Sequence, residues 1–99
     1  MIFKNRDFVF GARLQARRQM RSMGYGFREI NEVVNQIDGD VIADFDRQNG
    51  GTLAAQFATA SAAREAEGER PFLDFLKQLF ASPEFQAFLK MLIMALIGL

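Results

Sequence analysis

Residues 71–99 read PFLDFLKQLFASPEFQAFLKMLIMALIGL, and this stretch decides the fold. Pro71 suits the first turn of a helix, and Ser82-Pro83-Glu84 supplies a second start with a cap, a first-turn proline and an early acid. Apolar side chains recur at helical spacing after the first start. After the second start, almost the whole circumference of the helix is apolar. The pattern predicts two consecutive helices whose apolar surface must be buried against protein or lipid.

The second of these helices is too short to predict a membrane span. Residues 85–99 would rise about 22 Å as a helix, against a hydrocarbon thickness of about 30 Å. Joining residues 72–81 would give the length, but it would place Asp74, Lys77 and Glu84 in lipid at about 2.5–3.5 kcal/mol each. Three interpretations stay open: a core helix of this chain, a core shared between subunits, or insertion into one membrane leaflet.

One observation supports the shared core: the N-terminal helices offer little bulky apolar surface to cover so many phenylalanines. The chain has 11 Phe, one Tyr and no Trp, and phenylalanine brings apolar area without a polar group. An uncovered patch of this kind is an association site. The residues predicted to form the association interface are Phe72, Phe75, Leu76, Leu79, Phe80, Phe85, Phe88, Leu89, Leu92, Ile93 and Leu96.

The first seventy residues predict further short helices and no strand, since no period-two alternation occurs. We expect Asp7 to cap a first helix that runs to about Met23, the Asp38-Gly39-Asp40 turn to cap a third, and Thr52 to cap an alanine-rich fourth. Residues 65–70 are predicted to be a polar link. The fold class is therefore all-α, a small bundle of about five to six short helices with an apolar C-terminal helix. It divides into an amphipathic region (1–70) and a Phe/Leu-rich module (71–99).

The formal net charge of zero hides a segregation of charge along the chain. Residues 1–28 carry a net charge of +6, and residues 29–69 carry −7. Four arginines of the first helix form the candidate contact for an anionic partner: Arg13, Arg17, Arg18 and Arg21. Such a stripe suits nucleic-acid phosphates or anionic lipid headgroups. The alternatives are a solvated face, or pairing with the acidic middle of this chain or of a neighbouring copy.

The stretch REINEVV (28–34), followed by GDV (39–41), resembles the helix-turn-helix of sigma-type and response-regulator DNA-binding domains. The resemblance covers residues 28–45 and implies a helix that leads through a turn into a recognition helix that reads DNA. A tri-helical scaffold without that role explains the same apolar spacing. The chain departs from that pattern at the recognition-helix positions, where it has Asp44 and Asp46. Phosphate contacts need Lys and Arg, so an acidic helix would be repelled from the groove of DNA.

The composition argues against catalysis and against a metal or cofactor site. There is no His and no Cys, so the commonest general base, thiolate nucleophile and zinc ligands are missing. Asp38 and Asp40 sit in a DGD stretch, but an EF-hand register would put Val41 where glycine is needed and Arg47 where glutamate is needed. We expect no enzyme activity, no metal and no cofactor.

These features together predict a small structural or assembly protein that associates through its C-terminal helices. Its partners would be copies of itself, a larger assembly such as a virion or filament, or a membrane surface. The alternative is a nucleic-acid-binding module that uses the arginines of the first helix. Lys4, Arg6 and Asp7 stand where the apolar core of a signal peptide would run, so the expected location is the cytoplasm or an assembled particle.

Overall fold

The computed structural model describes residues 2–98 and confirms the all-α class. Within that range there are six α-helices, a short 3-10 helix (Ile2–Lys4) and no strand. The α-helices are α1 (Arg6–Ser22), α2 (Phe27–Val34), α3 (Gly39–Gln48), α4 (Thr52–Glu67), α5 (Glu69–Ala81) and α6 (Pro83–Ile97). Leu99, the last residue of the predicted apolar helix, lies outside the described residues.

Two of the predicted helix caps are confirmed, and one is wrong by two residues. Asp38 accepts a hydrogen bond from the backbone N–H of Val41 at the start of α3. The Ser82 hydroxyl accepts one from the N–H of Phe85 at the start of α6. At α1 the cap is Asn5 rather than Asp7, because the helix begins at Arg6 and Asp7 already lies in its first turn.

The cap of α4 lies outside the segment where the sequence predicted it. Thr52 is the first residue of α4 and does not cap it. The carboxylate of Asp46, on α3, accepts the backbone N–H groups of Leu53 and Ala54, each at 2.9 Å. Asp46 is 3 % exposed, so the start of α4 is fixed to α3 by a buried charged group.

The two helix breaks in the C-terminal half are each a single residue long, Gly68 and Ser82. The predicted polar link over 65–70 is wrong: α4 continues to Glu67, and Gly68 alone separates it from α5. Gly68 has a φ of 98°, a conformation that glycine adopts without strain. At Ser82 the chain bends by 67° between α5 and α6, so these two helices are not collinear.

A continuous cluster of phenylalanine rings within the apolar core joins both predicted regions of the chain. Phe8 of α1 is completely buried, and its ring centroid lies 4.7 Å from that of Phe57 on α4 and 6.4 Å from that of Phe85 on α6. Phe3 packs edge-on against both Phe8 and Phe57. Helices α1, α4 and α6 therefore share one aromatic core.

Gln86, a polar residue of the mostly apolar helix α6, forms hydrogen bonds with α1 of the same chain. Gln86 donates to the side-chain oxygen of Gln15 at 3.0 Å and to the backbone carbonyl of Phe80 at 2.8 Å. Gln19 in turn donates to the side-chain and backbone oxygens of Gln86, both at 2.8 Å. This network specifies which face of α6 meets α1, because a polar group at a packed interface needs a partner.

Gly39 lets the N-terminal 3-10 helix lie directly against α3. A Cβ atom at this position would be 2.4 Å from the carbonyl oxygen of Phe3. No real contact is that short, and the obstacle is backbone rather than a flexible side chain. The glycine is thus required by a close approach of two segments rather than by the turn that the sequence suggested.

Candidate functional site

The predicted association residues fall into two groups in the structure. Seven are buried inside this chain: Phe72, Leu76, Leu79, Phe85, Leu89, Leu92 and Ile93. Four are half-buried: Phe75, Phe80, Phe88 and Leu96. Most of the Phe/Leu-rich module therefore packs on the N-terminal helices. The face that it leaves open is much smaller than the residue pattern suggested.

The open part of the module is a groove that runs between α4 and the C-terminal end of α3 on one side and α5 with α6 on the other. It consists of two adjoining hollows of 570 and 390 Å³, which share Gln56, Leu79, Ser82 and Glu84. We call this surface the α4–α6 groove. The residues that line it and belong to the predicted association interface are Phe75, Leu79, Phe85 and Phe88. Met91, which lines the smaller hollow, is 51 % exposed.

The α4–α6 groove is apolar with an acidic edge. Glu84 is exposed and lines both hollows, whereas Asp46 uses both of its oxygens to cap α4. Among the described residues that line the groove there is no Lys or Arg. Lys77 and Lys90 are each two residues from a lining phenylalanine, about 200° around their helices, and so point away from the groove.

The arginines of the predicted anionic-partner contact are divided between internal and external roles. Arg13 donates from Nε to the backbone carbonyl of Ile37 at 2.7 Å, and Arg17 donates to Oδ1 of Asn31, also at 2.7 Å. Both are half-buried and join α1 to the α2 segment. Arg18 and Arg21 are exposed. Two of the four predicted contacts are therefore already engaged in holding the fold.

The exposed face of α1 also carries two large apolar side chains that the sequence analysis missed. Phe10 is 69 % exposed and Leu14 is 39 % exposed. Phe10 lies between two small hollows, which are lined by the residues Lys4, Arg6, Val9, Arg13, Leu14, Arg17, Val34 and Asn35. We call the surface formed by Phe10, Leu14 and the arginines on the same side of α1 (Arg6, Arg13, Arg17 and Arg21) the α1 face. The helical wheel could have revealed it, since Phe10 and Leu14 fall on the arginine side of α1.

Comparisons with protein families, curated proteins and solved structures found no match to this chain. The site is therefore interpreted from its own geometry. The described residues contain no group of three or more Asp or Glu side chains placed to hold a metal ion. Within residues 2–98 no single helix has the length and hydropathy of a membrane span, although the bent pair α5 and α6 passes that test jointly.

The segment that resembles a helix-turn-helix does form two helices, α2 and α3, with a turn over residues 35–38. Its second helix exposes Asp40 and Asp44, which pair with Lys4 and Arg47 respectively. Ile42 is buried in the core and Asp46 caps α4. The residues at the recognition positions are thus either acidic or committed to the fold.

The division of the arginines gives a prediction about stability. We expect Arg13→Met to lower the free energy of unfolding by about 1.5 kcal/mol, because the carbonyl of Ile37 loses a charged donor. Urea denaturation followed by circular dichroism measures the change. Arg18→Met is the matched control: this arginine is exposed, so its loss should shift the free energy by no more than about 0.5 kcal/mol. Equal effects of the two substitutions would contradict the assignment.

Proposed function

We propose that this protein is a small non-catalytic assembly subunit that associates with copies of itself through the α4–α6 groove. The observation that carries the proposal is the open apolar groove, in which Phe75 and Phe88 are half-buried and Met91 is half-exposed. Apolar surface that folding leaves uncovered favours association, because a second molecule removes it from water.

Association with protein is favoured over insertion of α5 and α6 into a membrane. Insertion would withdraw α6 from α1 and break the hydrogen bonds between Gln86 and the two glutamines of α1. It would also uncover Phe8, whose ring contacts Phe85. Binding of a partner protein in the groove leaves these contacts intact.

The experiment is light scattering on the full chain without detergent over a wide range of protein concentration. We expect masses above the 11.2 kDa of one chain that rise with concentration. Met91→Ser should weaken self-association about tenfold, because it removes a half-exposed apolar side chain from the groove. Met23→Ser is the matched control, since Met23 is exposed and does not line the groove. A monomer at every concentration would overturn the proposal.

A second function, the binding of single-stranded nucleic acid, is supported by the exposed ring of Phe10 among the cations of α1. Bases stack on exposed aromatic rings while arginines contact phosphates. The two functions respond differently to salt. Affinity for an oligonucleotide, measured by fluorescence anisotropy, should fall steeply as salt is added. The apolar part of protein association should persist.

A further inference from the structure

We infer that the occupant of the α4–α6 groove is the α1 face of a second copy of this chain. The inference rests on the proposed function and names the contact surfaces. One copy would place Phe10 and Leu14 of its α1 into the groove of the next copy. The arginines around them would then lie near Glu84 at the edge of that groove.

Charge complementarity supports this pairing. The α1 face belongs to residues 1–28, which carry a net charge of +6, whereas the exposed charged group that lines the groove is a carboxylate, Glu84. The two hollows beside Phe10 are lined by Lys and Arg and by no carboxylate among the described residues. The groove is lined by Glu84, by Asp46, whose oxygens cap α4, and by no cation in that same range. Opposite surfaces of this kind attract and fix the register of an interface.

The shape of the two surfaces also agrees. Phe10 and Leu14 are four residues apart and therefore project from the same side of α1, separated by a rise of about 6 Å. The groove offers two adjoining hollows rather than one. A helix that presents two apolar side chains at this spacing is the usual ligand of an apolar groove.

Pairing of like surfaces is disfavoured by the same charges. Two α1 faces brought together would place Arg6 and Arg21 of one copy near the arginines of the other. Two grooves brought together would place Glu84 near Glu84. Only the cross pairing joins unlike charges, so each copy presents its α1 face to the groove of another copy. Repeated from copy to copy this contact builds a ring or a filament, and exchanged between two copies it closes a symmetric dimer.

Both surfaces of one copy can be occupied at the same time. No residue that lines the hollows beside Phe10 also lines the α4–α6 groove. A copy with either surface blocked still retains the other. This independence makes the proposal testable by mixing two variants.

The test compares two substitutions. Phe10→Asp replaces the apolar ring of the α1 face by a carboxylate, and Gln56→Lys places a cation at a residue that lines both hollows of the groove. Both positions are exposed, so the fold should be retained, and thermal unfolding checks this. If Phe10→Asp does not fold, Phe10→Ser replaces it. The matched controls are Phe27→Asp and Gln48→Lys, at exposed positions that line neither surface.

We expect each variant alone to self-associate at least about tenfold more weakly than the natural chain, while the controls do not change. An equimolar mixture of the two variants should form a dimer of two chains that does not extend further, because each supplies the surface that the other lacks. Analytical ultracentrifugation distinguishes these species.

The remaining outcomes separate this inference from the proposed function. A monomeric natural chain overturns both. A natural chain that assembles, with both variants unaffected, overturns the inference and leaves the assembly function. Full dimerisation of Gln56→Lys by itself indicates pairing of two α1 faces and also overturns the inference. Loss of oligonucleotide binding in Phe10→Asp with unchanged assembly would assign the α1 face to nucleic acid and overturn it likewise.

Discussion

Phe8→Ala is expected to lower the free energy of unfolding by about 3–5 kcal/mol. The ring is fully buried and packs against the rings of Phe57, Phe80 and Phe85, whose centroids lie 4.7, 6.2 and 6.4 Å from its own. Its removal leaves a cavity between α1, α4 and α6. These helices are fixed by other contacts and cannot close it completely.

The measurement is the midpoint of urea unfolding with the slope held common to all variants. Phe10→Ala is the control, because it makes the same chemical change two residues along the same helix at a side chain that is 69 % exposed. It should cost no more than about 0.5 kcal/mol. Since domains of this size are stable by about 5–15 kcal/mol, Phe8→Ala removes a large part of the total. A loss below about 1 kcal/mol would contradict the proposed core.

Asp46→Ala is expected to cost about 2–3 kcal/mol, more than an ordinary helix cap. The substitution removes a buried charged acceptor and leaves the N–H groups of Leu53 and Ala54 without their partner at the start of α4. The N–H of Leu53 is buried, so water cannot replace the carboxylate there.

The control for this substitution is Asp44→Ala on the same helix. Asp44 is exposed and pairs with Arg47 at the surface, an interaction that contributes little in water. Asp46→Asn should fall between the two, because the amide keeps one acceptor and turns the other into a donor. Thermal unfolding of the three variants side by side provides the ranking. Similar stability of Asp44→Ala and Asp46→Ala would contradict the remote cap.

The helices were predictable because the residues that start and stabilise a helix lie close to one another in the sequence. Ser82-Pro83-Glu84 and Asp38 mark helix starts by chemistry that acts over three residues, and both starts are confirmed. The cap at Asn5 was misassigned because Asn and Asp both cap well and stand two residues apart. Asp46 could not be found in this way, since it acts on N–H groups seven and eight residues further along the chain.

The candidate site was predicted in part. Phe75, Leu79, Phe85 and Phe88 do line the α4–α6 groove, but the sequence could not separate them from residues such as Leu89 and Ile93, which are fully buried. A helix that is apolar all round carries no directional signal, so its pattern does not say which side is covered. Gln86 marked the side that meets α1, but its partners, Gln15 and Gln19, lie about seventy residues away in the sequence.

The sequence by itself determined that the chain is helical, where most helices begin and end, and that its charge is segregated. These properties depend on residues within one or two turns of each other. Only the tertiary structure decided that the Phe/Leu-rich module is mostly core, that Phe10 is exposed, and that a groove stays open beside Glu84. Burial depends on which distant segments pack together, and helical periodicity describes one helix at a time.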